Sequence, residues 1–199
     1  MLLDLTGSLA SLLSTYYFIR LNNKAWPIGM IATVLNGWLY WQKGIYADTA
    51  LEFIYFLSMC YGWFRWYRQD TVHNSSIPPP IGQLNKQQWI VLGFSLITMF
   101  LFIAYLLRTF THSTVPFLDA ATTSMSLVAQ WLMCHKIIAT WFLWFITDAL
   151  YAILYFSKTL PFHSILMLIY TGLAITGYMV WAKKSKPASL GLLASSQAL

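Results

Sequence analysis

The chain has 199 residues, of which 58% are hydrophobic, 18% aromatic and only 9% charged, and its net charge is +6. This balance excludes an ordinary soluble domain, in which about 25% of residues are charged. It also excludes a nucleic-acid surface, because the basic residues are spread over many short segments and do not gather on one face. An integral membrane protein remains.

Apolar runs of about 17 to 25 residues can cross a bilayer as helices. The sequence offers seven: Leu2 to Ile19, Trp26 to Trp41, Asp48 to Trp66, Gln88 to Leu107, Val115 to Cys134, Ile137 to Phe156 and Phe162 to Ala182. The first lacks the basic start and small-residue cleavage site of a signal peptide and reads as a retained helix that also directs insertion. Its Asp4, Ser8, Ser11 and Thr15 fall on one face. The second carries Trp26, Gly29, Thr33, Asn36 and Tyr40 at helical spacing, and the third carries Glu52, Tyr55, Met59, Trp63 and Trp66. The stretch from Tyr67 to Gln87, with Asn74-Ser75-Ser76 and Pro78-Pro79-Pro80, reads as a linker. The fourth run has no charge and few polar groups beyond Ser95 and Thr98. The fifth places Asp119, Thr123, Ser126 and Gln130 on one face, and the sixth does so with Trp141, Trp144, Asp148, Tyr151 and Tyr155. After the seventh, the tail beyond Lys186 is rich in Ser, Ala and Leu and carries no structural signal.

The stretch Asp4 to Trp66 slides onto Asp119 to Trp181 without a gap, at an offset of 115 residues. It pairs Asp4 with Asp119, Ser11 with Ser126, Trp26 with Trp141, Leu35 with Leu150, Tyr40 with Tyr155, Lys43 with Lys158, Tyr55 with Tyr170, Gly62 with Gly177 and Trp66 with Trp181. A three-helix unit is therefore present twice. Three spans reverse direction, so a fourth must intervene for the second copy to enter the membrane as the first does. The expected fold is an all-α membrane protein of seven transmembrane helices in a 3+1+3 arrangement, with parallel repeats about an axis along the membrane normal. Its divisions are residues 1–66, the first repeat; 67–114, the linker and fourth helix; 115–182, the second repeat; and 183–199, a cytoplasmic tail.

With the spans alternating, Arg20, Lys24, Arg65, Arg68, Lys86, Lys136, Lys183, Lys184 and Lys186 share one side, and Lys43, Arg108 and Lys158 share the other. The positive-inside rule puts the C-terminus in the cytoplasm and the N-terminus outside. Cys60 and Cys134 then lie near cytoplasmic helix ends and read as buried thiols.

Asp148 sits near the middle of its span, where an acid costs about 2.5 to 3.5 kcal/mol on insertion scales. Something must offset that. Acids and aromatic rings with no intramembrane Lys or Arg suggest a path for a planar, polar, cationic organic solute. A desolvated cation gains roughly 0.5 to 2 kcal/mol over each Trp or Tyr ring, and Asp148 or Glu52 supplies the counter-charge. The competing reading is structural: Trp26 and Tyr40 as an interfacial belt, the Ser and Thr positions as helix packing. There is no phosphate-binding loop and hence no ATP hydrolysis. His73, His112, His135 and His163 are too scattered for a metal site, no nucleophile and base come into reach for an enzyme, and no cofactor is implied. A retinal lysine is missing, since Lys183 lies past the last span.

The strings Trp26-Pro27-Ile28-Gly29, Tyr46-Ala47-Asp48, Gly62-Trp63-Phe64-Arg65-Trp66 and Trp141-Phe142-Leu143-Trp144, followed by Asp148, Tyr155, Lys158, Gly177-Tyr178 and Trp181, resemble the PnuC family of bacterial vitamin transporters. The resemblance runs nearly to Lys184. It implies a seven-helix inner-membrane protein related to the SWEET sugar transporters, passing a vitamin by facilitated diffusion while a cytoplasmic kinase traps it, and assembling as a homotrimer. A W-x-x-W form on the sixth helix, matched by Trp141 and Trp144, goes with nicotinamide riboside in that family. The substrate-binding residues expected are Trp141, Trp144, Asp148, Asn36, Glu52, Gln130, Tyr151 and Tyr155, with membrane lipid as the surroundings. Thiamine, also an aromatic cation, satisfies the same physics. The reading from another class is a seven-helix scaffold or receptor that transports nothing.

Overall fold

The computed structural model describes residues 2–42, 46–72, 81–111, 115–157 and 161–185. Seven helices form among them: α1 (Leu2–Ile19), α2 (Ala25–Gln42), α3 (Tyr46–Val72), α4 (Lys86–Phe110), α5 (Pro116–Cys134), α6 (Ala139–Ser157) and α7 (Pro161–Ser185). The shortest, 18 residues, reach about 27 Å at ~1.5 Å per residue, close to the ~30 Å hydrocarbon core of a bilayer. By length and apolarity alone, α4 and the Ser164–Ser185 part of α7 stand out as membrane-crossing among the described residues. The others dilute their apolar runs with the polar residues noted above.

The helices differ from the apolar runs chiefly at α3, which continues past Trp66 to Val72. Arg65, Arg68, Gln69 and Asp70 are compatible with helix, and no Gly or Pro interrupts until Pro78. Apolarity marks where the membrane stops, whereas helix stops where the backbone finds a breaker. The prolines of the linker, Lys43, Lys158 and tail residues 186–199 lie outside the described residues.

Two turns are built alike. Leu21 and Lys136 take left-handed backbone, with φ 57° and 53°. After α1, the Leu21 N–H donates to the Phe18 carbonyl and Asn22 N–H to Tyr17; after α5, Lys136 N–H donates to Met133 and Ile137 N–H to Leu132. Each is the Schellman closure that satisfies the last carbonyls of a helix. The two sites are separated by the repeat offset.

Packing follows the same rule. α1 packs on α2 and α2 on α3; α5 packs on α6 and α6 on α7; α3 meets α5, and α1 meets α7. These six contacts close a ring of six helices. Helices facing each other across it make no such packing contact among the described residues. α4 stands outside and packs on α5 alone, started by a capping box in which Asn85 and Gln88 bond reciprocally. Ile90, Phe94, Ile97, Leu101 and Tyr105 of α4 are exposed, as suits a surface bathed in lipid.

The core lies at one end of the ring, where both Schellman turns and the ends of α3 and α7 converge. Trp26, Trp66, Trp141 and Trp181 are buried there with Phe18, Met133 and Cys134. Trp26 meets Trp66 edge-on at 5.2 Å, and Trp141 meets Trp181 edge-on at 5.5 Å. Trp66 Nε1 donates to the Met133 carbonyl at 3.2 Å, and Trp181 Nε1 to the Phe18 carbonyl at 3.1 Å. Both bonds cross from one three-helix set to the other. The segment before α4 straps this end: Gly82 N–H donates to the Lys136 carbonyl, Ile138 N–H returns to the Gly82 carbonyl, and Ile81 is buried in the core.

Candidate functional site

Inside the ring, polar side chains from both three-helix sets meet. The Tyr55 hydroxyl on α3 lies within reach of Ser126 on α5, and the Tyr170 hydroxyl on α7 within reach of Ser11 on α1. Ser126 Oγ in turn donates to the Thr122 carbonyl at 2.8 Å. Asp148 lies within electrostatic reach of both tyrosines, and Glu52 and Tyr151 within reach of Tyr55. The two tyrosine–serine pairs are equivalent under the repeat offset. The carboxylates are not, because Asp148 corresponds to Thr33 and Glu52 to Met167. Every Lys and Arg of the described helices lies within about two turns of a helix end, Arg65 and Arg68 in the polar last part of α3, so the interior offers two acids, hydroxyls and rings, and no cation.

The residues expected from sequence divide between this interior and the closed end. Asp148, Glu52 and Tyr151 belong to the interior cluster. Trp144 is half-buried one turn nearer the closed end, between the tryptophan core and a second apolar cluster that includes Leu132, Ala139 and Leu143. Trp141 is only 2% exposed, its indole seated on Gly177 of α7, and its Nε1 has no partner among the described residues. Gln130 is 5% exposed, and its Nε2 is likewise unpartnered. Asn36 is half-buried with its amide oxygen against Gly7, at the seam of α1 and α2. Tyr155 falls in α6, with its side chain outside the described residues. Tyr55, Tyr170, Ser11 and Ser126 bind the cluster together without having been expected in the site. The signal was available: each matches its own residue type across the repeat.

Burial pulls two groups beyond the spans away from their ordinary ranges. The His135 imidazole is pushed down by burial. The Lys136 ammonium is pushed down by burial too, with Asp70 acting in the opposite direction. A separate groove of about 590 Å³ runs between α4 and α5, lined by Leu84, Val91, Leu92, Met99, Leu127 and Trp131 among others, with no charged residue. It lies outside the ring.

Residues 1–183 match the family model described as nicotinamide mononucleotide transporter. The chain belongs to that family. It is a multi-pass membrane protein, similar to the nicotinamide riboside transporter PnuC of Escherichia coli at 25% identity over 202 aligned residues, covering 89% of this chain and 80% of the relative. The Shigella flexneri transporter of the same name gives the same figures. In fold it resembles the crystal structure of the vitamin B3 transporter PnuC, with a TM-score of 0.74 at 20% identity over 92% of this chain and 81% of that one.

Proposed function

We propose that this protein carries nicotinamide riboside across the bacterial inner membrane by facilitated diffusion, with the closed end and the C-terminus in the cytoplasm. The observation that carries the reading is Asp148 within electrostatic reach of both Tyr55 and Tyr170 inside a closed ring of helices. A pyridinium cation gains from the acid and the rings, and its ribose hydroxyls find partners in hydroxyl and amide side chains. A mononucleotide would bring a phosphate into an interior with two acids and no cation, where like charge disfavours it. The family description names the mononucleotide; the chemistry of this interior favours the riboside.

Trp141 and Trp144 stack on or wall the ring, Asp148 and Glu52 balance its charge, Asn36 and Gln130 hold the ribose or carboxamide, and Tyr151 and Tyr155 extend the path outward. Residues 1–66 and 115–182 rock as the two halves, joined through 67–114, with 183–199 as a cytoplasmic tail, so that the site opens to each side in turn. Phosphorylation by a cytoplasmic kinase traps the riboside, and three copies assemble through outer surfaces.

Titration calorimetry of the purified protein with the riboside, the mononucleotide and thiamine tests this. The riboside is expected to bind at least about tenfold more tightly than the mononucleotide, a difference of ~1.4 kcal/mol, and Trp144→Ala to weaken it by a similar factor. Preference for thiamine would overturn the substrate. Proteoliposomes that take up none of the three would overturn transport.

A further inference from the structure

At the closed end a single carboxylate joins the two turns. Asp70, in the polar extension of α3, accepts a hydrogen bond from Asn23 Nδ2 through Oδ2 at 2.5 Å and faces Lys136 Nζ through Oδ1 at 3.3 Å. Asn23 belongs to the α1–α2 turn and Lys136 to the α5–α6 turn. Lys136 is 3% exposed whereas Asp70 is 41% exposed, and the lysine's ammonium lies 4.6 Å from the Trp66 ring centre. The repeat does not duplicate this clasp: Lys136, Asp70 and Asn23 correspond to Leu21, Ser185 and Ile138. Both Schellman turns hold their own helix ends, so neither needs the ion pair to form.

We propose that Asp70 and Lys136 form the latch of this end, closed in the present state and released when the α5–α6 turn moves away from α3 to open the path. The inference rests on the transport reading above, in which this end must open once per cycle. A lysine so enclosed cannot lose its carboxylate and stay put, because an unpaired buried cation is strongly unfavourable. It can leave only by carrying its turn into water. The aspartate, already half in water, loses little when the lysine goes. The two partners are therefore unequal, and removing one must not equal removing the other.

Cys134, two residues before Lys136 and fully buried among the gate aromatics, reports the opening. On a Cys60→Ser background, its labelling by a membrane-impermeant maleimide is measured in proteoliposomes without substrate. Asp70→Asn is expected to speed labelling at least about tenfold, since the stranded lysine holds the end open. Lys136→Met is expected to leave it unchanged or slower, because the methionine chain packs on Trp66 and Asp70 returns to water. The double variant Asp70→Asn/Lys136→Met is expected to restore the parent rate. Equal acceleration in both single variants, or none in Asp70→Asn, overturns the latch. If Asp70→Asn alone fails to fold, the exchange Asp70→Lys/Lys136→Asp decides: slow labelling supports the latch and fast labelling overturns it. Since no substrate is used, this pattern in a protein that binds no riboside would overturn only the substrate, leaving the latch in place.

Discussion

Gly62 and Gly177 show what one missing side chain permits. A Cβ at Gly62 would run into the six-membered ring of Trp26, and one at Gly177 into the ring of Trp141. Each indole is also packed edge-on against another tryptophan, so yielding would disturb that contact. Gly177→Ala is therefore expected to cost about 1 to 3 kcal/mol by overpacking, more than the up to ~1 kcal/mol an alanine returns in helix propensity. Gly93→Ala on α4, where a Cβ meets nothing within 4 Å, is the control and should melt no lower than the parent. Thermal unfolding in detergent checks both, and equal melting of the two variants would show that the indole seats are loose. The identities Gly62/Gly177 and Trp26/Trp141 were legible as a repeat. That the glycines seat the tryptophans was not, because the two positions lie on different helices and only the packing brings them together.

At the scale of elements, the sequence announced seven helices and their order well, since each needs an apolar run and nothing else competes inside a bilayer. It was poorer at ends and turns. Leu21 and Lys136 hold left-handed backbone, a conformation that Gly or Asn would have advertised, and neither residue type marks the spot here. The strap at Gly82 was hidden for a different reason: it follows three prolines and reads as linker, yet it exchanges two backbone hydrogen bonds with the α5–α6 turn. Gly82→Pro removes the N–H that reaches the Lys136 carbonyl and is expected to destabilise the protein by about 1 to 3 kcal/mol, the cost of a buried acceptor left bare. Gly82→Ala keeps the donor and meets the Ile137 side chain at 3.3 Å, with the Ile137 Cα and Lys136 carbonyl at an ordinary 3.9 Å, so its melting temperature should stay closer to the parent. Matching losses in the two variants would mean that the strap is held by burial of Ile81 alone.

For the molecule as a whole, the frame is two-fold while its charge is not. The tyrosine–serine pairs, the indole bonds and the turns all recur at the repeat offset. Asp148 and Glu52, however, have Thr33 and Met167 as their counterparts. A symmetric ring would offer a bound solute two equivalent poses; on the proposed reading, Asp148 on α6 and Glu52 on α3, neither duplicated by the repeat, make the two poses unequal for a cation. The sequence revealed the acid and its stripe, but not the two tyrosines within its electrostatic reach, since those come from other helices, α3 and the neighbouring α7, and only the packing brings them near Asp148. If Asp148 acts through its charge, then Asp148→Asn, which keeps the shape, must discriminate between ligands by charge alone. Affinity for nicotinamide riboside should fall at least about tenfold, or ~1.4 kcal/mol, while affinity for the reduced riboside, an uncharged dihydropyridine of nearly the same outline, should change far less. Parallel titrations of parent and variant with the two ligands make the comparison. An equal loss for both would assign Asp148 to holding the helices in place, and the cation would then have to be balanced by Glu52 or by the rings alone.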